Sequence, residues 1–362
     1  MRSFIHSMLL WLALSVPTAQ ATQVVFINPG RADEPFWRGY AQFMHAAARD
    51  LGLELQIVYA ERDPQRLISA ARQILQGAQR PDYLLFVNEY YTGPEILRLS
   101  AGSGVKLFSV NSTLTADQQQ VMGGTREKYP DWIGSMVAND EEAGYLMARA
   151  LIRQTDSRQP LQMLAFSGVK NTPAAQLREQ GLQRALNENP RVQLRQLVYA
   201  DWNRQRAGEQ ADLLLRRYPD VRLIWSANDE MAFGVMASAA QMPSGQKPKL
   251  LYSALNNSEE VLQARQNGRV SALVAGHFTL GGWALVLISD HAVGLDFAQR
   301  GGKDRTVRLF MELDVTQAAR LQRVLRQENY GLNFRRFTAR QQPAMRDYAF
   351  SLKPLLAQSV AK

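Results

Sequence analysis

Glu34-Pro35-Phe36-Trp37, Asp201-Trp202-Asn203 and Asn228-Asp229-Glu230-Met231-Ala232 each stand just beyond a short apolar run. A flat aromatic face offers an apolar, weakly negative surface to the C–H edges of a sugar-like ring. An asparagine amide donates and accepts hydrogen bonds at once. The aromatics Phe36, Trp37, Trp202 and Phe278, with the amides Asn111, Asn228 and Asn256, therefore suit an uncharged, polyhydroxylated ring. Blander roles stay open for several of them. Phe36 shares one helical face with Tyr40, Phe43, Ala47 and Leu51 and reads in part as core, which leaves Trp37 as the sharper stacking residue. Pro35 suits the first position of a helix capped by Asp33 or Glu34. Asn111-Ser112 also reads as a turn, and Asp229 as a helix cap that leaves Asn228 free to face a ligand. Trp37→Ala is expected to abolish binding and leave the fold intact. Catalysis is not expected. The histidines other than His6 are His45, His277 and His291, far apart, and cysteine is absent, as are the H-x-x-x-H and G-x-S-x-G patterns. No metal and no cofactor is expected.

Positioning these residues requires repeated β-α units. Strand-like runs are Val24–Asn28, Leu53–Tyr59, Tyr83–Val87 and Val105–Asn111, then Leu161–Phe166, Val192–Tyr199, Leu223–Ser226, Leu250–Ser253 and Val270–Val274. They are short and continuously apolar, as buried parallel strands are. Amphipathic stretches alternate with them. Asp63-Pro64 opens one and Gly77 closes it; Thr172-Pro173 opens another, with Leu177, Gly181, Leu182 and Ala185 inward. The segment 117–131 reads as a loop, Leu280–Gly294 as a long helix and Val307–Leu313 as a further strand-like run. The tail from Thr316 reads as helical and basic, then punctuated by proline. The pattern predicts two similar α/β halves, with function at the carboxyl ends of their strands.

The N-terminus carries Arg2, the apolar core Met8–Leu14, Pro17 and an Ala19-Gln20-Ala21 cleavage site, which predicts a secretory signal peptide over 1–21. No later segment is long and apolar enough to span a bilayer. Without cysteine there is no lipid-attachment site, so a soluble periplasmic product is expected. The net charge of +9 raises the question of nucleic acid, but the arginines are scattered among acids without interleaved aromatics, which argues against it. The local excess Arg335-Arg336…Arg340 reads as solvated surface or a partner contact.

At these residues the chain resembles the periplasmic sugar-binding proteins of the ribose/galactose type, the periplasmic binding protein class I fold. Pro35-Phe36-Trp37 is similar to that family's Pro-aromatic-aromatic after strand one, and Asn228-Asp229-Glu230-Met231-Ala232-Phe233-Gly234 to its N-D-x-M-A-x-G. Arg178 ahead of Gly181 and Trp202 match less specifically. The resemblance implies two doubly wound parallel-sheet lobes joined by a multi-strand hinge, with the ligand in the cleft. It places 22–138 plus 277–308 in the first lobe and 139–276 plus 309–362 in the second. The ligand-binding set it implies is Glu34, Phe36, Trp37, Asn111, Asn139, Arg178, Trp202, Asn228, Asn256 and His277. The chain departs from the family at Asn111-Ser112, where an Asp-Arg pair is usual, at Asn256 for Asp, at Gly276-His277 for Gln and at Glu34 for Asn. The carboxylates that accept from pentose hydroxyls are thus absent from their usual places, which argues against a simple ribose or galactose site. The implied role is a non-enzymatic monomer that delivers a sugar-like ligand to an inner-membrane ABC permease. The long tail is also similar to the sensor-coupled, autoinducer-2-receptor-like branch, whose partner is a membrane sensor kinase or cyclase.

Overall fold

The computed structural model describes residues 21–156, 159–243 and 249–358. The signal peptide expected over 1–21 lies, but for Ala21, outside them. Two sheets of six strands form. The first contains β1 (Gln23–Asn28), β2 (Glu54–Tyr59), β3 (Tyr83–Phe86), β4 (Lys106–Val110), β5 (Trp132–Ala138) and β11 (Asp304–Val307). The second contains β6 (Leu161–Ser167), β7 (Val192–Tyr199), β8 (Val221–Ser226), β9 (Leu251–Leu255), β10 (Ala272–Ala275) and β12 (Met311–Leu313). Their orders are β11-β5-β4-β3-β1-β2 and β12-β10-β9-β8-β6-β7. Each is the doubly wound 2-1-3-4-5 order with a sixth strand added at the far edge, so the same switch point occurs twice, beside β1/β3 and β6/β8. All ladders are parallel except β10 with β12.

Helices follow the strands. In the first half they are α1 (Pro35–Leu51), α2 (Pro64–Gln76), α3 (Gly93–Ser100) and α4 (Ala116–Met122). In the second they are α5 (Asp140–Arg153), α6 (Pro173–Asn187), α7 (Arg204–Arg217), α8 (Asp229–Gln241) and α9 (Glu259–Gln266). Asp63 caps α2 by accepting from the Gln65 and Arg66 amides, as its place before Pro64 predicts. At α1 neither Asp33 nor Glu34 caps with its side chain; Pro35 starts the helix and Gly52, at φ 73°, ends it. The expected loop 117–131 holds most of α4, which is opened by a Thr115/Gln118 capping box.

The run Val307–Leu313 is not one strand. It ends β11 in the first sheet, crosses over at 308–310 and enters the second sheet as β12. This is one of three crossovers that run side by side between the two sheets, with Ala138–Asp140 and Ala275–His277. They touch: the Asn139 amide donates to the Val307 carbonyl at 3.3 Å. A side chain at Gly276 (φ 139°) would collide with the Leu309 carbonyl, so close passage of the crossovers requires glycine there.

The tail does not stay with the second lobe, where 309–362 was expected. After β12, α11 (Val315–Leu325) packs on α9. The chain then crosses to α1 and to α10 (Leu280–Ala292). Phe334 packs edge-on against Phe43, and its amide donates to Asp50. The rings of Phe337 and Phe350 contact Trp283. Buried Asp290 accepts from the Ala339 amide (2.6 Å), the Arg340 amide (3.3 Å) and the Tyr348 hydroxyl (2.8 Å). The short helix α12 (Lys353–Leu356) returns the chain to α11. Burying these aromatic rings is what fastens an otherwise polar segment.

Candidate functional site: a cavity between the two lobes

A small cavity lies where the two switch points face each other. It is lined by Glu34, Phe36, Trp37, Arg62, Glu89 and Asn111 from the first lobe, by Thr172, Ala174, Arg178, Trp202, Asn228 and Asn256 from the second, and by His277 at a crossover. Nine of the ten residues expected to bind ligand thus meet in one place. Asn139 does not line it. Its Oδ1 caps α5 by accepting from the Glu142 amide at 3.1 Å. Phe278 is likewise core, edge-on to Phe43. An open groove bounded by Arg31, Tyr90, Lys170, Tyr199 and Asp201 shares Glu34, Arg62 and Trp202 with the cavity and leads to it.

On the first-lobe wall, Trp37 is only 2% exposed and lies so close over Gly30 that a Cβ there would sit 1.8 Å from the indole. It also packs against Phe26 and Tyr40, and its Nε1 has no partner. Phe36 is the more exposed ring and stacks on His277 at 4.4 Å between centroids. The expectation that Trp37 is the freer of the two is therefore reversed. Arg62 and Glu89 were not expected from the sequence. Arg62 has a left-handed backbone (φ 62°), and its amide donates to the Pro29 carbonyl. Its Nε donates to Glu34 Oε2 at 3.1 Å, Nη2 donates to Glu34 Oε1, and Nη1 donates to Glu89 Oε1 at 2.9 Å. Burial holds the Glu89 carboxyl above its ordinary value, and the Arg62 charge offsets only part of that. Carboxylates are thus present after all, brought from the cap of α1 and the end of β3. Asn111 sits at φ 65°, a region asparagine tolerates, as its turn position implied.

On the second-lobe wall, Arg178 is 5% exposed. It donates from Nε to Asp140 Oδ1 at 2.8 Å and from Nη1 to the Ala227 carbonyl at 2.8 Å, with Nη2 2.7 Å from Asp140. Burial pushes the Asp140 carboxyl up, against the pull of Arg178. The guanidinium also lies 5.4 Å from the centre of the Trp202 ring. Trp202 takes a left-handed backbone (φ 62°) and lies over Gly168, where a Cβ would come within 2.1 Å of it. Asn228 lines the cavity as expected but also takes the capping role expected of Asp229. Asn228 is the cap, its Oδ1 accepting from the Met231 amide at 2.9 Å. Asp229, fully buried, accepts from Asn256 Nδ2 at 2.7 Å and from the Ser258 hydroxyl at 2.5 Å. Burial raises its carboxyl to about 6. Each amide therefore has one end committed: Asn256 keeps Oδ1, and Asn228 keeps Nδ2, engaged only weakly by the Trp202 carbonyl at 3.4 Å. His277 is buried between Phe36 and Phe310 with Nδ1 unpartnered; burial, then the Arg178 charge, hold its pKa well below the usual value, so it is neutral.

Residues 24–295 match the periplasmic binding protein domain. The chain belongs to that family. A periplasmic sugar-binding protein from Pseudomonas fluorescens is 53% identical, with a TM-score of 0.85 over 93% of this chain and 100% of that one. A ribose import binding protein from Haemophilus influenzae is 24% identical over 274 residues, 74% of this chain and 85% of its own length. An ABC transporter periplasmic solute-binding protein from Actinobacillus succinogenes, solved with D-allose, shares the fold at 15% identity and a TM-score of 0.72, over 82% of this chain and 99% of that one. Periplasmic binding proteins are binding components of transport, not enzymes, in agreement with the expectation for this chain. Among the described residues no helix is long and apolar enough to cross a membrane, and no group of three His, Asp or Glu side chains could hold a metal ion.

Proposed function

We propose that this periplasmic binding protein captures a sugar in the cavity between its lobes and delivers it to an inner-membrane ABC importer. The observation that carries this is the convergence of aromatic faces from both lobes and half-committed amides from the second on one cavity. Rings supply apolar faces for the C–H edges, and the free amide ends supply a donor and an acceptor for hydroxyls. The relatives' names support import: one is a ribose import binding protein, another a D-apiose import binding protein. In this reading the chain is exported as a monomer, and hinge closure between the lobes stores part of the binding free energy. Calorimetry and intrinsic tryptophan fluorescence against a panel of aldoses, ketoses and polyols test it. One member is expected to give heat and a fluorescence change from Trp37 and Trp202. A panel that produced neither heat nor a thermal shift would sink the sugar assignment. Stimulation of the ATPase of a reconstituted ABC importer by the loaded protein tests the delivery step.

A further inference from the structure

Both guanidinium groups that line the cavity are already neutralised. Arg62 is shared by Glu34 and Glu89, and Arg178 is held by Asp140. What the first-lobe wall leaves unengaged is negative: Glu89 Oε2 accepts from no group among the described residues, although Glu89 is only 5% exposed. Across the cavity the remaining polar ends are neutral: Asn228 Nδ2, Asn256 Oδ1 and the Nδ1 of uncharged His277. A further anion placed here would meet no spare cation, and it would face a desolvated carboxylate at close range. A hydroxyl meets the opposite situation. It can donate to Glu89 Oε2, while its neighbour accepts from an Arg62 N–H not used by the glutamates.

We infer that the Glu34–Arg62–Glu89 row is the specificity-determining element of this site, and that it selects an uncharged polyol presenting neighbouring hydroxyls while rejecting acidic sugars. The inference rests on the sugar reading above and narrows it. Glu34 has a second part here: by accepting both Nε and Nη2 of Arg62, it fixes the plane of the guanidinium and so the direction of the N–H groups left for ligand.

The test is calorimetry of the wild-type chain against matched pairs: D-ribose with D-ribose 5-phosphate, D-galactose with D-galacturonate, and D-allose and myo-inositol as neutral probes. At least one neutral member is expected to bind, and each acid is expected to bind at least about 100-fold more weakly than its parent. Glu89→Gln keeps the shape of the side chain and is expected to weaken the neutral ligand about 10- to 100-fold and to shrink its lead over the acid. Glu34→Gln, with one fewer charge on the guanidinium, is expected to shrink that lead as well. Circular dichroism melts of both variants show that the fold is kept. An acidic sugar that bound more tightly than its neutral parent would overturn the inference and leave the sugar reading standing. So would wild-type affinity and selectivity in Glu89→Gln. Silence from every probe in both arms would overturn the sugar reading, and the inference with it.

Discussion

Trp37 and Trp202 cover matching glycines from different connections: Trp37 from α1 after β1, Trp202 from the turn after β7, whose counterpart in the first lobe is Arg62 after β2. Each lies across a glycine that follows the first strand of its sheet, Gly30 after β1 and Gly168 after β6, and each glycine has no room for a Cβ beneath the indole. Yet their surroundings differ. Trp37 is in the first turn of α1 and belongs to the core with Phe26, Tyr40 and Phe43. Trp202 stands on a left-handed loop residue with one face toward the Arg178 guanidinium and an edge on the open groove. A tryptophan over a glycine is thus a core member on one side and a partly buried cavity wall on the other. The lesson is that the neighbours of a ring, and not its place over a glycine, decide what removing it costs.

The largest effects should fall where this asymmetry is structural. Trp37→Ala is expected to lose about 3–5 kcal/mol in urea denaturation, because it empties a packed site; this replaces the expectation of an intact fold. A loss below about 1 kcal/mol would make the two tryptophans equivalent. Behind the second wall, Asp140→Ala strands buried Arg178 and should cost about 3–5 kcal/mol by the same measurement, with Asp140→Asn costing less. The third effect is pH-dependent. Asp229 is raised to about 6 by burial, above the ~3.9 of an unfolded aspartate. The folded state therefore binds this proton more tightly, so the group's contribution is fully present below about pH 4 and is lost as pH rises through about 6, by on the order of 3 kcal/mol. Asp229→Asn cannot ionise, so its stability relative to wild type should improve between pH 4 and 7; an unchanging difference would contradict the raised carboxyl. The smallest effect on stability belongs to Trp202→Ala, about 1 kcal/mol, with loss of ligand binding by calorimetry. Unaltered binding would remove Trp202 from the site.

The amides of the second wall were legible because their positions obey local rules. Asn228 and Asn256 come directly after apolar runs, and a residue there must either cap the next helix or face the cleft. The passing of the cap from Asp229 to Asn228 was not legible, since it depends on Ser258 and Asn256 reaching back to the buried carboxylate. Arg62 and Glu89 were missed for a similar reason. They lie at the ends of β2 and β3, where the strand-end argument applies equally, but the ion pair that gives them meaning spans 27 residues and leaves no periodic mark. In the fold, β5 escaped because Gly134 and Ser135 interrupt its apolar run. Both are there for β11: a Cβ on Gly134 would meet the Lys303 carbonyl, and the Ser135 hydroxyl donates to Asp304 at 2.7 Å. The run Val307–Leu313 concealed a change of sheet because apolar periodicity records burial and not which core provides it.

The tail described after β12 has a mechanical consequence. It is tied to the second lobe through α11 on α9 and the Arg326–Glu259 pair, and to the first through Asp50, Trp283 and Asp290. None of its residues lines the cavity. The lobe closure proposed above would therefore load the stretch between these two moorings, on a surface that the ligand cavity does not include.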